Sequence, residues 1–191
     1  MVSVVIAHKE DRGFLDEAIE SVENQTYQDF EIILQKGDHL RGKNVNDGVM
    51  RARGKFIKLL DDDDTLTPES LECLVHGIEG WDWVCAKAHS IPGEDYIEKP
   101  GNLNDNIKAN TIHGGTTMYR KSLFYDTGGF DESLITAEEY DFHLLLMQSG
   151  YKLGWVDAFV HNYRIWGGNK SMNFPPEAKR ELVEQVKDRY R

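Results

Sequence analysis

A chain of 191 residues is long enough for one sizeable domain and short for two. With 40% hydrophobic and 29% charged residues, 17 glycines and 5 prolines, its composition is ordinary globular, which excludes collagen-like, low-complexity and largely disordered chains. A formal net charge of −11 repels a phosphate backbone and argues against nucleic acid as a partner. Cys73 and Cys85 lack the spacing of a zinc or redox site and read as buried thiols of a reducing compartment. No run approaches the roughly 18 apolar residues of a membrane span, and the N-terminus lacks a signal-peptide pattern. The expected location is cytoplasmic, with any work at a membrane surface done through a patch or a partner.

In chain order, Val2 to Ala7 is a short β-branched apolar run that suits a strand covered on both faces. Phe14, Leu15, Ala18, Ile19 and Val22 recur at helical spacing with acids between them, predicting an amphipathic helix. Phe30 to Leu34 reads as a second buried strand, Asn46 to Arg53 as a short helix and Lys55 to Leu60 as a third strand. This alternation predicts an α/β domain built on a parallel sheet. Thr67 and Pro68 predict an N-cap and first turn of a helix reaching Gly77. Trp81 to Ala86 predicts a further strand, and Ser90 to Asn110 an irregular excursion. Ile112 to Tyr119 predicts another strand, Ala137 to Gln148 a helix, Leu153 to Phe159 a last strand, and Pro175 and Pro176 open a charged terminal helix.

Chemistry concentrates at Asp61, Asp62, Asp63 and Asp64, directly after the third strand. In an open α/β sheet, ligands bind outside the carboxyl ends of the strands. Adjacent carboxylates there repel unless a cation neutralises them, and hard oxygen donors select Mg²⁺, Mn²⁺ or Ca²⁺ over Zn²⁺. The competing reading, an acidic helix start favoured by the helix dipole, accounts for one or two of the four. A calcium loop fails, because its sixth position is Leu66 where the turn needs glycine. A second cluster, Glu138, Glu139 and Asp141, opens a predicted helix, where the dipole alone also explains acids. Near these lie a glycine-rich HGGTT and a HNYRIW segment with His161, Tyr163, Arg164 and Trp166 bunched together.

Taken in order, these pieces resemble the family-2 glycosyltransferases of the GT-A fold, inverting enzymes that move a sugar from a nucleotide diphosphate donor. VSVVIAHKE resembles the family's opening strand and nucleotide turn, and FLDEAIESVENQTYQDFEII its first helix and second strand. NVNDGVMRARGKFIKLLDDDD resembles the stretch leading into the DxD motif, and TLTPESLE the helix after it. HGGTTMYRKSLFYDTGGFDESL resembles the acceptor-side segment, AEEYDFHLLLMQSGY the segment carrying the catalytic base, and YRIWGGNKS the closing Tyr-Arg motif. The resemblance covers nearly the whole chain. It implies a single Rossmann-like α/β domain with a mixed, mostly parallel sheet flanked by helices. Within it, about 1–66 would form the nucleotide-sugar half, about 67–174 the acceptor half and 175–191 a C-terminal helix.

The resemblance also implies site residues. Asp61 would contact ribose or metal, and Asp63 would ligate the Mn²⁺ or Mg²⁺ that bridges a donor diphosphate, with Asp62 and Asp64 adjoining. Glu139 aligns with the family's base, which is usually Asp, so Glu138 stays open as an alternative; Asp141 would orient the acceptor. Ala7, His8 and Glu10 would line the nucleotide, with Lys43 and Asn46 beside it, and Arg41 and Lys43 are basic candidates for the diphosphate. Where the family has an Asp-Asp-Gly-Ser run after the second strand, this chain has QKGD, so Gln35 or Asp38 would serve and the base is open. Trp166 stands where the family usually has a histidine, which makes His161 a candidate third metal ligand. Gly114, Gly115, Tyr163, Arg164 and Trp166 would form the acceptor side. The expected partners are a UDP-sugar and a glycan, lipid-linked or protein-linked acceptor. Two other readings compete with it: a non-catalytic nucleotide-sugar or glycan binding module, and a Mg²⁺ phosphotransfer enzyme. The latter needs an Asp nucleophile after the first strand, where Ala7, His8 and Lys9 stand.

Overall fold

The computed structural model describes residues 1–10, 12–169 and 174–191, so Lys170 and Ser171 of the closing motif lie outside the described residues. The strands are β1 Val2–His8, β2 Phe30–Lys36, β3 Phe56–Asp61, β4 Thr65–Leu66, β5 Trp83–Ile91, β6 Met118–Arg120 and β7 Leu153–Arg164. The helices are α1 Leu15–Glu23, α2 Arg41–Arg51, α3 Ser70–Gly77, α4 Leu103–Lys108, α5 Ser122–Thr127, α6 Glu138–Gln148 and α7 Pro176–Asp188, with a 3₁₀ turn at Gly114–Thr116. One seven-stranded sheet runs in the order β2-β1-β3-β6-β5-β7-β4. Its long pairings, β1 with β2 and β3 and β5 with β7, are parallel, while β6 and β4 join by short antiparallel pairings. This is the expected mixed α/β sheet.

Helices cover both faces, so strand residues pointing either way are buried. Val2, Val4 and Ile6 of β1 join one apolar cluster with α1 and α3, while Val5 joins another with α2 and α6. A third, smaller cluster of Ile107, Leu134, Tyr140, Leu144 and Val186 docks α4 and α7 onto α6. Among the described residues no helix is long and apolar enough to cross a membrane.

Several predicted boundaries move, each for a packing reason. Helix α2 starts at Arg41, five residues before the predicted Asn46, because Gly42, Val45, Gly48 and Val49 form its buried face against the sheet. A Cβ on Gly48 would come within 2.5 Å of Val5, so this glycine, poor in a helix by propensity, permits the close approach. Thr67 does not cap α3; its hydroxyl donates to the Phe159 carbonyl at 2.8 Å, and the helix begins at Ser70. The Ser90–Asn110 excursion is not all irregular. Strand β5 continues to Ile91, and Asn102 and Asp105 form a reciprocal capping box that starts α4. Ile112 to Tyr119 is a turn followed by a three-residue strand rather than one long strand. Strand β7 runs on to Arg164, so His161, Tyr163 and Arg164 are strand residues.

One polar network lies inside the core. The Tyr119 hydroxyl sits between Thr117 Oγ1 at 2.8 Å and His143 Nε2 at 2.7 Å, and the His143 ring stacks on Trp83 at 5.0 Å. Burial holds the His143 pKa down to about 3, so the imidazole is neutral in the folded protein. Below its ordinary value of 6.5 the unfolded chain takes up a proton that the folded chain refuses, so stability falls as pH falls toward about 3. His143→Phe is expected to flatten that part of the melting temperature against pH curve, which thermal unfolding followed by circular dichroism measures.

Candidate active site

The carboxyl ends of β1 and β3 open into a cavity of about 550 Å³, completed by the start of α2, the 3₁₀ turn and the start of α6. The turn after β3 is closed by a hydrogen bond from the Asp64 amide to the Asp61 carbonyl, and β4 ties it to β7 through Thr65 and Leu66. Four consecutive aspartates on so short a turn cannot point one way. Each finds a different counter-group. Asp61 takes the Arg41 Nε at 2.8 Å, and Asp62 pairs with His8 Nδ1 at 2.9 Å and with Arg12. Asp63 accepts from the Trp166 indole at 2.9 Å and lies 3.4 Å from Arg12. Asp64 meets His161 Nε2 at 2.9 Å and the Arg164 amide at 2.8 Å.

Burial and crowding set the electrostatics. Asp63 is pushed up to about 6 by burial and by Asp61 beside it. The same two causes raise Asp64 to about 8, while burial lowers its partner His161 to about 3. Burial would raise Asp61 as well, but the Arg41 guanidinium holds it below the ordinary range. Lys58, buried without a carboxylate partner, bonds the carbonyls of Leu59 and Gly115, and burial lowers it to about 8.

The other acids come from α6. Ala137, just before this helix, adopts φ +63°, a left-handed conformation that costs a non-glycine residue about 1 kcal/mol or more. It turns Glu138 and Glu139 to the cavity, where both meet Arg41: Glu139 at 3.0 Å and Glu138 at 3.6 Å. Burial raises the Glu139 pKa, and Arg41 opposes that rise. Opposite the Glu139 carboxylate lies Gly114, where an added Cβ would fall 2.2–2.4 Å from the carboxylate atoms.

Of the residues singled out in the sequence, Ala7, His8, Glu10, Asp61, Asp62, Asp63, Glu138, Glu139, Gly114 and Tyr163 line this cavity. Others do not line it. Gln35 pairs with Arg51 near the sheet edge, Asp38 lies exposed on the loop before α2, and Lys43 pairs with Asp47. Asn46 clamps the backbone of Phe130, and Asp141 is held by Arg189 and Tyr190 at 3.0 Å each. His161 is fully buried on Asp64, Gly115 lies against its ring, and Arg164 and Trp166 brace the aspartate turn from behind. Arg41 is the central residue, which the sequence offered, beside Lys43, only as a basic candidate for the diphosphate. Its one sequence signal is a lone arginine between the second strand and a helix.

This arrangement defines a ligand-binding α/β domain whose acids gather at the strand ends, and comparison with known proteins names its class. The model for "Glycosyl transferase family 2" matches residues 35–128. An uncharacterized glycosyltransferase of Methanocaldococcus jannaschii is 28% identical over 86% of this chain and 71% of its own length. A GalNAc(5)-diNAcBac-PP-undecaprenol beta-1,3-glucosyltransferase of Campylobacter jejuni is 29% identical over 64% of this chain and 47% of its own. The S. aureus TarS 1-349 structure in complex with UDP-GlcNAc superposes with a TM-score of 0.75 at 18% identity, over 97% of this chain and 65% of that one. Over residues 35–128 the chain is therefore similar to glycosyltransferase family 2, and over nearly its whole length it shares the α/β fold of TarS.

Gly114→Ala is expected to displace the Glu139 carboxylate from Arg41 and to lower stability by about 1–3 kcal/mol, the usual cost of losing a buried charge-assisted hydrogen bond. Chemical denaturation of the variant beside the native chain measures it.

Proposed function

We propose that this chain transfers a sugar, with inversion, from a nucleoside diphosphate donor, a UDP-sugar, to a hydroxyl of a glycan, lipid-linked or protein-linked acceptor. One observation carries the reading: Asp61 and Asp63 from the β3 turn and Glu138 and Glu139 from α6 face the same cavity. The names of a relative that acts on an undecaprenol-linked glycan and of a fold neighbour bound to UDP-GlcNAc support it.

Mn²⁺ or Mg²⁺ fits the donor set. Asp61 and Asp63 offer hard oxygens side by side, and burial, with the like charge of Asp61, raises the Asp63 pKa to about 6. Among the described residues no three His, Cys, Asp or Glu side chains form a ready-made metal cage. That suits Mg²⁺ or Mn²⁺, held by one or two carboxylates with substrate phosphates supplying the rest. Asp63 and Asp61 are the residues that would hold it; His161, buried and bonded to Asp64, is not in position to do so. When bound, the ion would supply charge neutralisation of the departing nucleoside diphosphate.

The chain's own residues do the remainder. Ala7, His8 and Glu10 at the end of β1 form the nucleotide wall of the cavity. Glu139 takes the proton from the acceptor hydroxyl as it attacks the sugar from the side away from the diphosphate, with Glu138 next to it. Gly114 and Tyr163 line the acceptor side, while Asp141, tied to α7, steadies α6 from outside the cavity.

Glu139→Gln is expected to keep nucleotide affinity and lower transfer by about 10²–10⁴-fold, the usual share of a general base. Comparing calorimetric UDP binding with turnover checks both halves, and full turnover would remove Glu139 from the role. Asp63→Asn is expected to abolish the gain in UDP affinity that Mn²⁺ confers on the native chain, a loss of roughly 10–100-fold or more. Titrations with and without the metal decide it.

A further inference from the structure

We propose that Arg41 is a positioning residue that holds the base-side carboxylate Glu139 in fixed relation to the donor-side carboxylate Asp61. The roles of those two acids rest on the transferase reading above; their coupling rests on geometry. Arg41 Nε donates to Asp61 Oδ1 at 2.8 Å, Nη2 donates to Glu139 Oε1 at 3.0 Å, and Nη1 stands 3.6 Å from Glu138 Oε1. A guanidinium is planar with its donors in a rigid fork, so three acids from β3 and α6 are held in one frame. The arginine itself stands on α2, which packs on β1 and β2, and so registers the two acid-bearing elements from a third.

Further observations support a positioning role. The Glu139 carboxylate fills the space that a Cβ on Gly114 would take, so it packs against the 3₁₀ turn. Arg41 Nε and Nη2 are taken by Asp61 and Glu139, and Nη1, buried without a hydrogen bond, lies 3.6 Å from Glu138 Oε1. Among the described residues no other basic side chain pairs with Asp61 or Glu139. Lys58 is committed to two carbonyls, and Arg12 to Asp62 and Asp63. Lysine in place of Arg41 brings a point charge that can serve one of the two acids, not a fork that spans both.

A base misplaced by about 1 Å costs roughly 100-fold in rate with little change in binding. The test compares Arg41→Lys and Arg41→Ala with the native chain, using a panel of UDP-, GDP- and dTDP-sugars. Donor affinity is read by calorimetry, turnover as release of nucleoside diphosphate, and folding by melting temperature. Both variants are expected to lose about 100-fold in kcat with donor affinity kept within about threefold. Guanidinium added at tens of millimolar is expected to restore much of the turnover of Arg41→Ala by refilling the slot, and to leave Arg41→Lys unchanged. Where Arg41→Ala does not fold, Arg41→Lys decides. Normal turnover by Arg41→Lys, a loss shared equally by kcat and donor affinity, or a folded Arg41→Ala that guanidinium does not rescue overturns this inference alone. A native chain that neither binds nor turns over any of the donors overturns the transferase reading and this inference together.

Discussion

Six carboxylates, Asp61 to Asp64 with Glu138 and Glu139, share one rim of the sheet, and the surroundings of that rim are organised by the need to offset their charge. Burying an unpaired carboxylate costs several kcal/mol, so each acid requires a partner, shared or its own. The turn after β3 meets this by fanning its four side chains toward Arg41, His8 with Arg12, Trp166 with Arg12, and His161. The partners come from β1 and the loop after it, from α2, from β7 and from the segment after β7, so the site's electrostatics and the tertiary fold are one arrangement. Asp63 faces the cavity, and burial, with Asp61 beside it, raises its pKa to about 6.

Close approach is the second constraint. Gly48 lets α2 lie on β1, and this brings Arg41 to the rim; Gly114 lets the 3₁₀ turn lie against Glu139. The strained Ala137 turns the start of α6 into the same space. Strain of this kind persists only where the surroundings over-determine it, and α6 is held from several sides. Phe142 packs in the main core, Tyr140 donates to the Asn106 carbonyl at 2.7 Å, and Asp141 is tied to Arg189 and Tyr190 after α7. The C-terminal helix thus contributes to the site without reaching it.

Much of this was legible in order along the chain. The apolar runs of β1, β2 and β3, the amphipathic α1, and acids placed directly after a buried strand require only short-range pattern, and they sufficed for the α/β class and for the aspartate turn. Boundaries were less legible where packing overrode propensity. Helix α2 begins among Gly42 and Asn44, both weak helix formers, because its buried face rests on the sheet. Thr67 has the chemistry of a cap and instead serves a carbonyl of β7. The Asn102 to Asp105 box was present in the sequence, but its aspartate at the position where Glu or Gln is usual, in a polar stretch without periodicity, concealed α4.

By itself, the sequence determined that the chain folds as one α/β unit and that acids gather at a strand exit and a helix start, since both follow from residues adjacent along the chain. Only the tertiary structure decided which of those acids share a cavity and what pairs with them. Arg41 reaches Glu139 across 98 positions of sequence, and His161 reaches Asp64 across 97. Such contacts depend on how β3, α2, α6 and β7 are laid against one another, and local pattern carries no record of that. The same long-range placement set Asp141, Lys43 and Asn46 outside the cavity and brought Arg41, an ordinary arginine in the sequence, to its centre.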